Sequence, residues 1–330
     1  MTLGSGRHPL VRAGMAICGL AAALGLAWYA LSGTDIALLF NSWVVPAIAL
    51  LHLVQQAGCG GAWQALVQPP RPVLGYFFCA RWVRASVAAL VPVSGVGAAI
   101  VAIRIITRAG LEMDLAAASL VADATLEMIA QIIFTMLGLG LLIATSPWSP
   151  ALGSLAAGLL LAILATAVVI ALQRAGALRV IDAALARLAR RWPRLLFLGA
   201  GSLHDRLMHL HRQRRAVFVA GIMHLAAWLL GAGEIWLVLY VLGRPAGVRA
   251  CVIIESLAMA ARSAGFLVPG ALGIQEAALL MVGGLVGLSA ESAMAVAVVK
   301  RLRDIAIGVP GLLVWQWIEG SRFRRRRPVQ

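Results

Sequence analysis

Eight ionisable residues stand inside stretches that are otherwise apolar, and they are the residues that could do chemistry. Asp123 and Glu127, in "SLVADATLEMIAQIIF", are four apart and share one face of a helix. Glu255 and Arg262, in "IIESLAMAARSAGF", are seven apart and also share a face, and Glu276 follows in "GIQEAALL". Arg301, Arg303 and Asp304 lie with Lys300 in "VVKRLRDIAIGVPG". Charges in such surroundings cost a few kcal/mol each even on the most lenient insertion scale, so they must face one another or water. Glu127 follows Pro92 by 35 residues and Asp304 follows Pro269 by 35, so the two acids hold matching places, with Arg262, Arg301 and Arg303 as expected partners. Two uses are open. The charges form ion pairs that hold a bundle together, or they line a pathway for a polar head group.

Other chemistry finds little support. The chain has no HExxH, GxSxG or Gly-rich phosphate loop, and its four cysteines show no CxxC spacing. No catalytic residue, metal site, cofactor or disulfide framework is therefore expected. His52 and His224 read as lone histidines packed or hydrogen-bonded on apolar helices, and Glu234 in "GAGEIWLVLY" as an isolated acid lining a cavity or near the outer interface.

The elements that position these residues follow from composition. Of 330 residues, 62% are apolar and only 12% charged, and the mean hydropathy is +0.92, which excludes an ordinary water-facing surface for most of the chain. The fold class is an all-α integral membrane protein forming a single membrane domain. Six windows of roughly 20 residues or more read as full spans: 13 to 32, 36 to 56, 115 to 144, 151 to 172, 216 to 242 and 291 to 318. The first is read as a retained helix rather than a cleaved signal, because no small-x-small site follows it.

Two further apolar regions, 74 to 107 and 250 to 288, are interrupted at their middles by "LVP", giving eight to ten apolar helices in all. Pro92 with Gly95 and Gly97, and Pro269 with Gly270 and Gly273, are the break points, since proline disfavours helix before it and glycine permits a sharp turn. Each region is a hairpin that turns back or a pair of complete crossings. Arg81 and Arg84 favour re-entrance of the first, where both would snorkel toward the cytoplasmic face; the second has arms of about 19 residues. Broken backbone at membrane depth must be buried in protein or line a wet cavity. The returning helices would present N-termini suited to an anionic group.

Loop charge orients the chain. Residues 173 to 215 hold ten arginines, and the tail 319 to 330 holds Arg322 and Arg324 to Arg327, so both are placed in the cytoplasm with the N-terminus. Arg244 and Arg249, in an outer loop, run against this rule. The hairpins then enter from opposite faces, and residues 13 to 144 and 151 to 318 read as two inverted-topology repeats. Within the basic loop, Val180, Ile181, Leu185, Leu188 and Trp192 form one face of an amphipathic helix suited to anionic lipids at the cytoplasmic leaflet. The net charge of +15 is a membrane-surface property, and without aromatic interleaving no nucleic-acid partner is expected.

The stretches "FLVPGALGIQEAALLMVGGLVGLS" and "AVAVVKRLRDIAIGVPGLLVWQ" resemble the membrane domain of the lysylphosphatidylglycerol synthase and flippase family, whose later motif runs P-x-x-x-G-x-x-E before an arginine-bearing helix. "LVPVSGVGAA" stands where that family has its earlier motif, and "IIESLAMAARSAGFLVPGALGIQEA" is closer still to the hopanoid-biosynthesis-associated branch. The resemblance implies an inner-membrane protein that translocates or exports a lipid, a hopanoid or a phospholipid, with Asp123, Glu127, Glu255, Arg262, Glu276, Arg301, Arg303 and Asp304 along the path. The family's aminoacyl-transferase domain has no counterpart in these residues, so lysyl transfer is not expected, and Asp123 stands near where many members carry arginine. The other functions open are an intramembrane lipid-modifying transferase with Glu276 or Asp123 as base, and a scaffold for lipid-biosynthesis enzymes docked through the basic loop.

Overall fold

The structure, a computed structural model, describes residues 43–91, 95–145, 150–175, 203–264, 271 and 273–325. The expected span at 13 to 32, the amphipathic segment around Val180 to Trp192, Pro92, Pro269, Gly270 and the last residues of the tail lie outside them. The described residues form helices without strands. In chain order these are α1 (Val44–Leu66), α2 (Leu74–Leu90), α3 (Gly95–Arg108), α4 (Met113–Ile143), α5 (Pro150–Arg174), α6 (Leu203–Arg212), α7 (Arg214–Val241), α8 (Val248–Ala264), α9 (Ile274–Leu285) and α10 (Ala290–Arg325).

Hydropathy located most of these well. The windows at 115 to 144, 151 to 172 and 216 to 242 match α4, α5 and α7 closely, because each is a long apolar run ended by a polar or Pro/Gly-containing loop. Among the described residues, α1, α4, α5 and α7 are long and apolar enough to cross a membrane. The protein is a multi-pass membrane protein. The helix expected to span at 291 to 318 lies within the 36-residue α10, which carries Lys300, Arg301, Arg303 and Asp304 near its middle and Pro310 beyond them.

One boundary moves. The window ending at 56 extends to Leu66, because the polar and small run from Gln55 to Gly61 lowers hydropathy without breaking the helix. Small residues serve packing here. A Cβ on Gly60 would stand 2.9 Å from the Phe78 backbone nitrogen, and one on Gly61 would meet the Met223 side chain. The α1 backbone therefore runs directly against α2 on one side and against α7 on the other, as small residues permit in membrane bundles.

Both interrupted regions are helix pairs. The first is α2 and α3, of 17 and 14 residues, and the second is α8 and α9, of 17 and 12, the latter arms shorter than expected. At 1.5 Å per residue the longest of these arms is about 25 Å. α3 begins at Gly95, two residues before Gly97, and Gly273 is the N-cap of α9 with φ +80°, a conformation that glycine adopts without strain.

The chain divides into two compact units. One comprises residues up to Leu53, Trp82–Ala98 and residues from Ala232 onward; the other comprises Val54–Arg81 and Ala99–Gly231. In the first unit α9 packs against both α8 and α10, and Trp82 Nε1 donates to the Ile307 carbonyl at 3.0 Å. In the second, α6 and α5 pack on α4. The amphipathic α6 seats Leu207 and Leu210 among Ala62, Leu66, Ala118 and Ala122.

Candidate functional site

Among the described residues, buried charge collects into one cluster in each unit. The second unit's cluster is small. Arg81 of α2 donates through Nη1 and Nη2 to the two Glu127 carboxylate oxygens at 2.8 and 2.7 Å, and through Nη1 to Asp123 Oδ2 at 3.1 Å. His224 of α7 donates from Nε2 to the other Asp123 oxygen at 2.9 Å. Asp123 and His224 are fully buried and Arg81 is 5% exposed. The four-residue spacing of Asp123 and Glu127 on α4 is what lets one planar guanidinium reach both acids.

Two expectations change here. Arg81 does not snorkel to a membrane face but turns inward, because two carboxylates offer its charge more than a distant interface would. Glu127 accordingly pairs with Arg81, a partner that was not among those expected for it. Cys59 of α1 completes the group, its Sγ lying within 4.8 Å of a His224 ring nitrogen and a Glu127 carboxylate oxygen.

The first unit's cluster is larger. Glu234 of α7 is its hub, 1% exposed, accepting from Lys300 Nζ at 3.2 Å, from Arg303 Nη1 and from His52 Nδ1 at 3.2 Å. Lys300 also donates to Glu255 Oε2 at 2.7 Å. Arg303 donates to Asp304 Oδ1 at 2.7 Å, and Arg262 Nη1 reaches Asp304 Oδ2 at 3.4 Å and Gln275 Oε1 at 2.7 Å. Arg301 Nε donates to Glu276 Oε1 at 2.6 Å, while Glu276 Oε2 accepts the Gly273 N–H at 2.9 Å and so caps α9. The four carboxylates of Glu234, Glu255, Glu276 and Asp304 balance the four cations of Arg262, Lys300, Arg301 and Arg303 in number.

Exposure grades this cluster. Lys300, Glu255, Arg303 and Glu234 are sealed, whereas Glu276 and Arg262 keep 16% and 27% of their side chains accessible. The sealed members fix the bundle, since each removed partner would leave a charge without compensation. The accessible members stand beside the break between α8 and α9 and can exchange protein partners for a ligand's charge. Outside both clusters, Arg244 donates to Glu291 at 2.8 Å, which neutralises locally one arginine that opposed the charge rule.

The sequence-predicted residues thus fall into two groups: Asp123 and Glu127 in one unit, and Glu255, Arg262, Glu276, Arg301, Arg303 and Asp304 in the other. Four participants were missed or read as isolated: Arg81, His52, His224 and Glu234. A signal for two of them exists. "HL" at His52-Leu53 leads to "GCGGAW" at 58–63, and "HL" at His224-Leu225 leads to "GAGEIW" at 231–236, so both histidines precede a G-x-G-x-x-W stretch, while Glu234 stands opposite Gly61 and is not marked by it.

The family model for the lysylphosphatidylglycerol synthase TM region matches residues 16–311. The chain belongs to that family. Membership of the lysylphosphatidylglycerol synthase TM region family makes it a membrane protein involved in lipid handling, and the match covers both charge clusters and both interrupted helix pairs. No curated protein and no solved structure matches the chain.

Proposed function

We propose that this protein translocates or exports a lipid across the cytoplasmic membrane, moving a polar head group past the partly accessible charges of the first unit while the acyl or ring portion stays in the bilayer. The observation that carries this is the graded cluster at the α8–α9 break. Arg262 and Glu276 are paired and yet accessible, Arg301 is buried directly behind Glu276, and sealed ion pairs hold them in place. A head group bearing phosphate can take Arg262 from Asp304, which keeps Arg303, and can draw Arg301 from Glu276, which keeps the Gly273 N–H.

The helix lengths favour hairpins that turn back. A crossing of the hydrocarbon core requires about 30 Å, and none of the four arms reaches it. Two successive runs of four helices in the same order support an inverted repeat: α1 to α4 have 23, 17, 14 and 31 residues, and α7 to α10 have 28, 17, 12 and 36. By the positive-inside rule the arginine-rich segments 173 to 215 and 319 to 330 face the cytoplasm, and the termini with them. A hopanoid or a phospholipid is the cargo class that the resemblance favours. Transport rather than transfer chemistry is proposed because the accessible charges are paired acids and bases without a positioned nucleophile among them.

The test is a reconstituted assay in liposomes carrying fluorescent phospholipids, in which an impermeant quencher reports head-group exposure. Wild type should accelerate equilibration between leaflets, and the Arg301→Ala, Glu276→Gln double variant should slow it at least tenfold while eluting as the same folded species. Equal rates for the two folded proteins would sink the proposed path.

A further inference from the structure

The geometry points to a binding site for one zinc-class divalent ion in the second unit, formed by Cys59, Glu127 and His224, with Asp123 orienting the imidazole. This goes beyond lipid translocation and does not depend on it. Three donor atoms from three helices converge: the Cys59 thiol from α1, a Glu127 carboxylate oxygen from α4 and a His224 ring nitrogen from α7, all within 4.8 Å of one another. Thiolate, imidazole and carboxylate are the three donor types that zinc takes, and three protein ligands leave a fourth position open.

Asp123 fixes how the His224 ring is turned. Its Nε2 is committed to Asp123 Oδ1 at 2.9 Å, which leaves the buried Nδ1 for the side of the ring that Cys59 approaches. With Nε2 bonded to Asp123, Nδ1 is the nitrogen that would face a metal. Carboxylate to histidine to metal is the outer-shell arrangement that fixes a ligating ring.

A divalent ion also fits the charge of the group. Arg81 against Asp123 and Glu127 leaves one negative charge in excess when the thiol and imidazole are neutral. A divalent ion that displaces the thiol proton brings the group to neutrality: two positive charges and Arg81 against Cys59, Asp123 and Glu127. Glu127 remains available although both its oxygens accept from Arg81, because each carboxylate oxygen has a second lone pair. Gly60 and Gly61 follow Cys59 on α1, where they let it approach the Phe78 backbone of α2 and the Met223 side chain of α7. A metal here would tie three helices together and hold the α2 arginine in place. The sequence alone, lacking any CxxC or HExxH spacing, gave no hint of a metal, since its ligands are 68 and 97 residues apart along the chain.

The experiment uses the full chain purified in detergent, stripped with a chelator and titrated with Co²⁺ as a spectroscopic probe, then with Zn²⁺ as competitor. The expected result is one equivalent of Co²⁺ with a thiolate-to-cobalt charge-transfer band in the near ultraviolet, release of about one proton, and displacement by Zn²⁺. Cys59→Ser should abolish the band, and Asp123→Asn should weaken affinity by about 10- to 100-fold, as outer-shell changes do. Cys59→Ala provides a second thiol-free variant, matched to the alanine at the corresponding place, Ala232, of the repeated pattern. Variants count only when the chelated protein unfolds at the wild-type midpoint. Cobalt bound without a thiolate band, or bound equally by Cys59→Ala, would mean an adventitious ion only and overturn the proposal. Failure to bind any ion, with the site holding a proton instead, would overturn it as well.

Discussion

Glu234→Gln is the sharpest perturbation of the first unit's cluster. Glu234 is 1% exposed and accepts from Lys300, Arg303 and His52, so the change removes one negative charge from a balanced set of four acids and four bases while keeping the side chain's size. Breaking a buried pair costs about 3 to 5 kcal/mol when the remaining charge is left alone. Here Lys300 retains Glu255 at 2.7 Å and Arg303 retains Asp304 at 2.7 Å, so the cost should fall at the lower end, about 3 kcal/mol. A compensating change makes the reasoning testable. Lys300→Met removes the matching positive charge, and the double variant should cost less than the sum of the singles by about 1 to 3 kcal/mol, as coupled neighbours do. The assay is reversible unfolding in a fixed detergent, followed by tryptophan fluorescence. Additivity within about 0.5 kcal/mol would refute the view that charge balance, rather than individual contacts, holds this cluster together.

Gly60→Ala should destabilise the protein by about 1 to 3 kcal/mol, because the new Cβ meets the Phe78 backbone nitrogen at 2.9 Å and backbone cannot yield as a side chain can. Gly58→Ala, with nothing within 4 Å of the added carbon, is the matched control and should be neutral or stabilising in the same unfolding assay. His211, on α6 outside the spanning helices, has its pKa lowered from the ordinary 6.5 by burial and by the Arg174 charge. The unfolded chain therefore binds this proton more readily than the folded one, so its contribution holds above pH about 6.5 and is lost as the pH falls through that value toward the folded pKa. His211→Gln should flatten the stability profile in that range, and an unchanged profile would rule the residue out as the source.

Much of the fold was readable from the chain. Long apolar windows located α4, α5 and α7 within two residues at each end, because the cost of exposing backbone to lipid makes helix the only open course there. Proline and glycine located the breaks between α2 and α3 and between α8 and α9. The end of α1 was misplaced by ten residues, since a hydropathy window scores Gly58 to Gly61 as loss of membrane character, whereas the structure uses them for close helix contact.

Partner choice was not readable in the same way. Periodicity puts Asp123 and Glu127 on one face of a helix, but it does not say that Arg81, 42 and 46 residues away, is what that face meets. Nor does it make a hub of Glu234, whose contacts to His52 and Arg303 span 182 and 69 residues. The amino-acid sequence alone determined the solvent, the helices and the places where they break, because these depend on transfer free energy and backbone chemistry that act locally. Only the tertiary structure decided which charge meets which, because a buried ion's partner is set by the approach of distant helices, and that approach depends on small residues whose purpose appears only once the helices are packed.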